Sequence, residues 1–136
     1  MKKTFYFLGV LFVLITISLP QTVKAQETAS IEVAQAAICR AVVDREPVGV
    51  GDTFGAWTGK LYCFTRIVGA YSPVEITHVW YFGDAERARI SLLVRSASWR
   101  TWTSKRIQTH EIGYWHVNVV GPDGRVLRSV EFEITP

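Results

Sequence analysis

From Gln26 to the last residue no segment sustains a helical period. Short runs rich in Val, Ile, Thr, Tyr, Phe and Trp recur instead between clusters of Gly, Pro, Asp and Ser. Apolar residues at every second position fit a strand with one buried face, and a chain built only of such runs must pair them into sheets. The pattern predicts strands over Ile31–Val43, Trp57–Val68, Val74–Phe82, Ala88–Arg95, Trp99–Ile107, Gly113–Val120 and Arg125–Thr135. In the third, Val74, Ile76, His78, Trp80 and Phe82 share a face. Gly121-Pro122-Asp123-Gly124 joins the last two, because Pro presets φ and Asp and Gly accept turn geometry. Asp44–Asp52 is expected to be an irregular loop, since Pro47, Gly49 and Gly51 interrupt any regular element. Seven strands in about 110 residues predict one small antiparallel β-sandwich, immunoglobulin-like, with a partly open barrel as the alternative.

The first residues read differently. Met1-Lys2-Lys3 is a positive start, Phe5–Leu19 an apolar run, and Val23-Lys24-Ala25 a small-residue cleavage site after Pro20. Residues 1–25 are therefore expected to be a secretory signal peptide and residues 26–136 the folded domain. The apolar run is short for a span of about 20 residues, and no Cys follows the cleavage site to take a lipid. The expectation is a periplasmic or secreted bacterial protein with no membrane insertion once the leader is cleaved. Lys2, Lys3 and Lys24 leave with the leader, so the formal charge of +3 falls to neutrality. The basic balance then gives no reason to expect nucleic acid as a partner.

Export also bears on Cys39 and Cys63. In an oxidising compartment an even pair is expected to form a disulfide rather than a metal site, the other reading being two buried thiols. The bridge would close a loop of about 24 residues and contribute on the order of 3 kcal/mol in the chain-entropy picture.

The chain has no Gly-rich phosphate loop, no nucleophile elbow, no His-Glu-x-x-His and no calcium loop. His78, His110 and His116 are scattered, so no metal and no cofactor are expected, and the chain is read as non-enzymatic. The enzymatic alternative is a small hydrolase using His78 and a carboxylate. The stronger feature is aromatic and cationic: Trp80-Tyr81 on the third strand and Trp99-Arg100-Thr101-Trp102-Thr103-Ser104-Lys105-Arg106 on the fifth. Trp99 and Trp102 have opposite parity, as do Trp80 and Tyr81, so each pair must divide between core and surface. An exposed Trp beside Arg or Lys makes a flat platform with charge-assisted donors, suited to a sugar ring or a carboxylate. The expected ligand-binding residues are His78, Trp80, Tyr81, Arg100, Trp102 and Lys105, with Arg45 and Glu46 as a rim. The expected partner is an envelope glycan or an envelope protein. The competing structural reading buries one Trp in each sheet and pairs Arg100, Lys105 and Arg106 with Glu75, Glu131 and Glu133.

The same residues resemble a bacterial family, domain-of-unknown-function family 2914. The resemblance is carried by Asp44-Arg45-Glu46-Pro47, Leu61-Tyr62-Cys63-Phe64-Thr65, Thr77-His78-Val79-Trp80-Tyr81-Phe82, Trp99-Arg100-Thr101-Trp102-Thr103-Ser104-Lys105 and Asp123-Gly124-Arg125-Val126-Leu127. It extends from about Ala34 to the end. It implies a compact β domain found in envelope proteins, alone behind a signal peptide or attached to membrane segments. It implies no activity and supplies no catalytic residues.

Overall fold

The computed structural model describes residues 31–136 and, before them, Ser18 alone. The expected signal peptide lies outside the described residues apart from that serine. No helix among them is long and apolar enough to cross a membrane. They form ten strands: β1 (Glu32–Cys39), β2 (Ala41–Val43), β3 (Glu46–Val48), β4 (Thr53–Gly55), β5 (Lys60–Val68), β6 (Val74–Phe82), β7 (Ala85–Val94), β8 (Ser98–Arg106), β9 (Gly113–Val120) and β10 (Val126–Thr135).

Seven are long, and they make a β-sandwich. One sheet has the order β1-β5-β8, the other β4-β10-β9-β6-β7. Every pairing is antiparallel except β4 with β10. The connections β5–β6, β7–β8 and β8–β9 pass between sheets, so β6 comes to lie beside β9, its neighbour in space and not in sequence. The order β10-β9-β6-β7 facing β1-β5-β8 is that of an immunoglobulin-like sandwich, with β7 taking the added place beside the central strands.

Alternation fills the space between the sheets. Ile38, Leu61, Cys63, Trp80, Trp115, Val117, Phe132 and Ile134 form one buried cluster, and Ile67, Ala70, Ile76, Val94 and Val119 a second. Trp80 meets Phe132 edge-on at 6.2 Å, and Trp115 lies nearly parallel to the same ring at 5.9 Å. Removing a buried aromatic of this kind costs about 3–5 kcal/mol.

The stretch from Asp44 to Asp52 departs from the irregular loop expected of it. Ala41–Val43 and Glu46–Val48 pair as a two-stranded ribbon, with Val42 opposite Pro47. Asp44 and Arg45 both have positive φ, 50° and 63°, as the central residues of a type I′ turn require. Proline is tolerated because a ribbon of two strands has only edges. The ribbon leaves the end of β1, and its tip reaches β8 two strands away, where Arg100 bonds Glu46 and the Arg45 carbonyl. Four residues of strand span about 13 Å, enough to cross two inter-strand spacings of about 4.8 Å. The ribbon therefore lies across the outer face of the three-stranded sheet. Phe64, which points away from the core, is fully buried beneath it.

The expected Cys39–Cys63 bridge is not formed: both cysteines are free and buried. The ladder explains why, since Cys39 stands opposite Tyr62 while Cys63 stands opposite Ile38. A one-residue offset puts the two thiols on opposite faces of the sheet. Cys63 points into the core, and Cys39 lies under the ribbon, where burial raises its pKa against hydrogen bonds from the Val48 and Ala41 backbone.

Candidate functional site

The expected site residues divide among three places. His78 and Trp80 are fully buried between the sheets, so neither contributes to a surface. Tyr81 faces outward, but from the five-stranded sheet. There it stacks on His116 at 4.7 Å, and Tyr114 flanks the same imidazole at 5.5 Å. Arg100 and Trp102 share the outer face of the opposite sheet, and Lys105 lies farther along the same strand. The structure thus brings together Arg100, Trp102, Arg45 and Glu46, places Lys105 on their strand, and separates them from His78, Trp80 and Tyr81.

His78 has a structural task. Its Nδ1 lies 2.8 Å from Thr103 Oγ1 and its Nε2 3.1 Å from Thr65 Oγ1. Thr65 donates its hydroxyl hydrogen to the Thr101 carbonyl at 3.1 Å, so it accepts from Nε2–H. Thr103 accepts from Trp80 Nε1–H at 3.0 Å and has its own hydrogen to give to Nδ1. One relay, Trp80 to Thr103 to His78 to Thr65 to the β8 backbone, satisfies the donors of these four side chains and ties β6 to β5 and β8. Burial lowers the His78 pKa to about 4. Both ring nitrogens are bonded to threonine hydroxyls and neither to a carboxylate. Among the described residues no three His, Cys, Asp or Glu side chains converge as metal ligands.

The surface site forms where both sheets end. β7 and β8 are edge strands on the same side of the sandwich, and between them opens a groove of about 420 Å³ lined by Arg45, Leu92, Leu93, Arg95, Trp99, Arg100 and Trp102. Strand parity sets its floor. Thr101 and Thr103 turn inward, Trp99 on their side packs at the margin of the second core cluster, and Trp102 turns outward to stack on Phe64 at 6.4 Å. Its rim is cationic. The Arg45 guanidinium sits 5.7 Å over the Trp99 ring, and Arg100 Nη1 is 2.7 Å from Glu46 Oε1 and donates to the Arg45 carbonyl at 3.4 Å. Arg45 and Arg95 have no ion-pair partner among the described residues.

Arg100 therefore pairs with Glu46, and not with Glu75, Glu131 or Glu133. Those three belong to strands of the five-stranded sheet, across the core from Arg100. Sequence reading missed Leu92, Leu93 and Arg95, because nothing in one strand tells which other strand will border it. It also missed Trp99 as a groove residue, although its parity against Trp102 was legible. Chemically, the groove offers flat aromatic surface, aliphatic walls and planar guanidinium donors, a set that holds a ring and a carboxylate.

Residues 73–134 match the family described as "Protein of unknown function (DUF2914)". The match starts at Pro73, so Asp44–Pro47 and Leu61–Thr65 fall outside it, and its span is narrower than the near-complete resemblance read from the sequence. No curated protein matches the chain. Among solved structures, the chain is similar to a β-glucosidase from Listeria innocua in complex with glucose, at 10% identity and a TM-score of 0.44 over 79% of this chain and 16% of that one. It is also similar to a β-D-glucoside glucohydrolase from Trichoderma reesei, at 10% identity and a TM-score of 0.38 over 78% of this chain and 18% of that one. The chain thus spans less than a fifth of the length of these enzymes.

Proposed function

We propose that this chain, a member of the DUF2914 family by its residues 73–134, works as a non-catalytic binding module of the bacterial cell envelope, with the groove between β7 and β8 as its binding surface. The observation that carries the reading is the pairing of Trp99 and Trp102 with Arg45, Arg95 and Arg100 at one open edge. Half-buried aromatics give a platform at low entropic cost, and guanidinium groups left unpaired at the rim are available to a ligand. An envelope glycan fits this surface better than a protein partner. The groove, about 420 Å³, has the volume of a small-ligand site, whereas each partner of a standard protein interface buries roughly 800 Å². Addition of a partner strand is disfavoured as well, because β7 carries Glu86, Arg87 and Arg89 and β8 carries Arg100, Lys105 and Arg106. The export this reading requires rests on the leader-like residues 1–25.

Intrinsic tryptophan fluorescence tests it. Titration with peptidoglycan fragments is expected to give a saturable shift that Trp102→Ala abolishes while the thermal melt stays cooperative. A shift that survives Trp102→Ala, or no shift with any glycan, would count against the groove.

A further inference from the structure

β8 continues past the groove into a second cluster that the first does not need. Lys60 stands directly opposite Arg106 on the outer face of the three-stranded sheet, while Lys105, opposite the buried Leu61, has the inward parity of Thr103 and bonds the Arg106 carbonyl. Like charges directly opposite on neighbouring strands are destabilising. Among the described residues none of Arg40, Lys60, Lys105 and Arg106 has an ion-pair partner. The β4–β5 loop is held against this cluster: Gly59 accepts from Ile107 N at 2.6 Å, and Thr58 Oγ1 accepts from Arg40 Nη1 at 3.3 Å. That loop carries Trp57, 86% exposed. An apolar ring left in water on this loop does nothing for the core.

We propose that the ligand is an acidic polysaccharide chain lying along β8, seated in the groove at Arg100 and Trp102 and making a second contact at Trp57, Lys60 and Arg106. The proposal rests on the glycan reading of the groove and names the charge and length of its ligand. Arg100 and Arg106 are six residues apart, about 20 Å along a strand, so the ligand must be a chain and not a single sugar. Between them Ser104 is exposed and β8 is an open edge. The Glu46 carboxylate on Arg100 marks the anion chemistry that the groove accepts. The exposed Trp57 offers a ring face, which suits a sugar better than an acidic peptide. A planar anionic membrane fits poorly, because Asp52, Asp84 and Glu133 border the same end of the sandwich from the other sheet.

The test is calorimetric titration of the full chain with trigalacturonate, long polygalacturonate, dextran of matched length, polyglutamate and a single-stranded oligonucleotide. Polygalacturonate is expected to bind at least about tenfold more tightly than the trimer, because its second contact is intramolecular. It should also weaken as salt is raised, while dextran binds more weakly than either. Lys60→Gln with Arg106→Gln, and separately Trp57→Ala, should remove the polymer's advantage and leave the trimer within about twofold of wild type. All three positions are exposed, and an unchanged melt confirms folding. If the trimer binds and these variants hold the polymer as tightly as wild type, the second contact is wrong and the groove stands. If dextran binds as well as polygalacturonate, or if polyglutamate or the oligonucleotide binds better, the acidic polysaccharide is wrong. If neither trimer nor polymer binds, this inference and the glycan reading of the groove fall together.

Discussion

His78 sits in the middle of the sandwich with both ring nitrogens bonded to threonines, and its neutral form is the one the fold accepts. Its folded pKa, about 4, lies below the ordinary value of 6.5, so the unfolded chain takes up the proton first as pH falls. Stability from this group is complete above about pH 6.5, declines as pH drops below it, and is lost by about pH 4. Between pH 7.5 and 5 the loss is expected to be about 2 kcal/mol, read as a lower urea midpoint, and His78→Gln should flatten that dependence. A wild-type midpoint constant over this range would contradict the relay. The cysteines give a second test at the same scale. Both thiols are buried and offset in register, so oxidising and reducing conditions should give the same melting temperature, and alkylation should follow unfolding. Parity in the sequence divided Trp80 from Tyr81 and put His78 on the same face as Trp80, but it did not say that this face is the buried one, so both were expected at the binding surface. What it could not give was the partners: Thr65 and Thr103 meet His78 from the opposite sheet, and nothing local in any of the three strands records that meeting.

At the scale of elements, the ribbon decides how accessible the groove is. Glu46 occupies Arg100 at its tip, so a ligand carboxylate must displace it. Glu46→Gln removes that competitor and is expected to strengthen binding of trigalacturonate several-fold in a calorimetric titration, at little cost to stability, since exposed ion pairs contribute about 0–1 kcal/mol. Arg45→Gly separates two effects. Glycine relieves the positive φ at 63° by up to about 1 kcal/mol, while the lost stacking on Trp99 costs about 0.5–1 kcal/mol. Urea denaturation should therefore change little as affinity for the probe falls. Strands β6 and β9 were legible to the residue, because clean alternation and flanking Gly or Pro bound them. The β2–β3 ribbon and β4 were not: each is three residues long, and each is held by pairing with chain that is distant or already turning back. A proline in a short run reads as a breaker until a partner strand shows that its missing N–H faces outward.

The whole molecule is polarised. The three-stranded sheet and its ribbon carry Arg40, Arg45, Lys60, Arg66, Arg100, Lys105 and Arg106 against Glu32, Asp44 and Glu46, whereas in the five-stranded sheet Arg87, Arg89 and Arg128 nearly offset Glu75, Glu86, Glu131 and Glu133. A residue count cannot show this, because without Lys2, Lys3 and Lys24 the charges cancel. Topology gathers the excess of cations on the three-stranded sheet and puts its cationic edge beside the aromatic groove. The most direct test of binding through β8 uses the tryptophan indole N–H signals in a nitrogen-15 correlation spectrum during titration with trigalacturonate. The Trp99 and Trp102 signals are expected to move together and saturably, while those of Trp80 and Trp115, bonded to Thr103 and to the Glu111 carbonyl inside the fold, stay in place. Shifts confined to Tyr81, Tyr114 and His116 on the opposite sheet, or no shift at Trp99 and Trp102, would contradict the account.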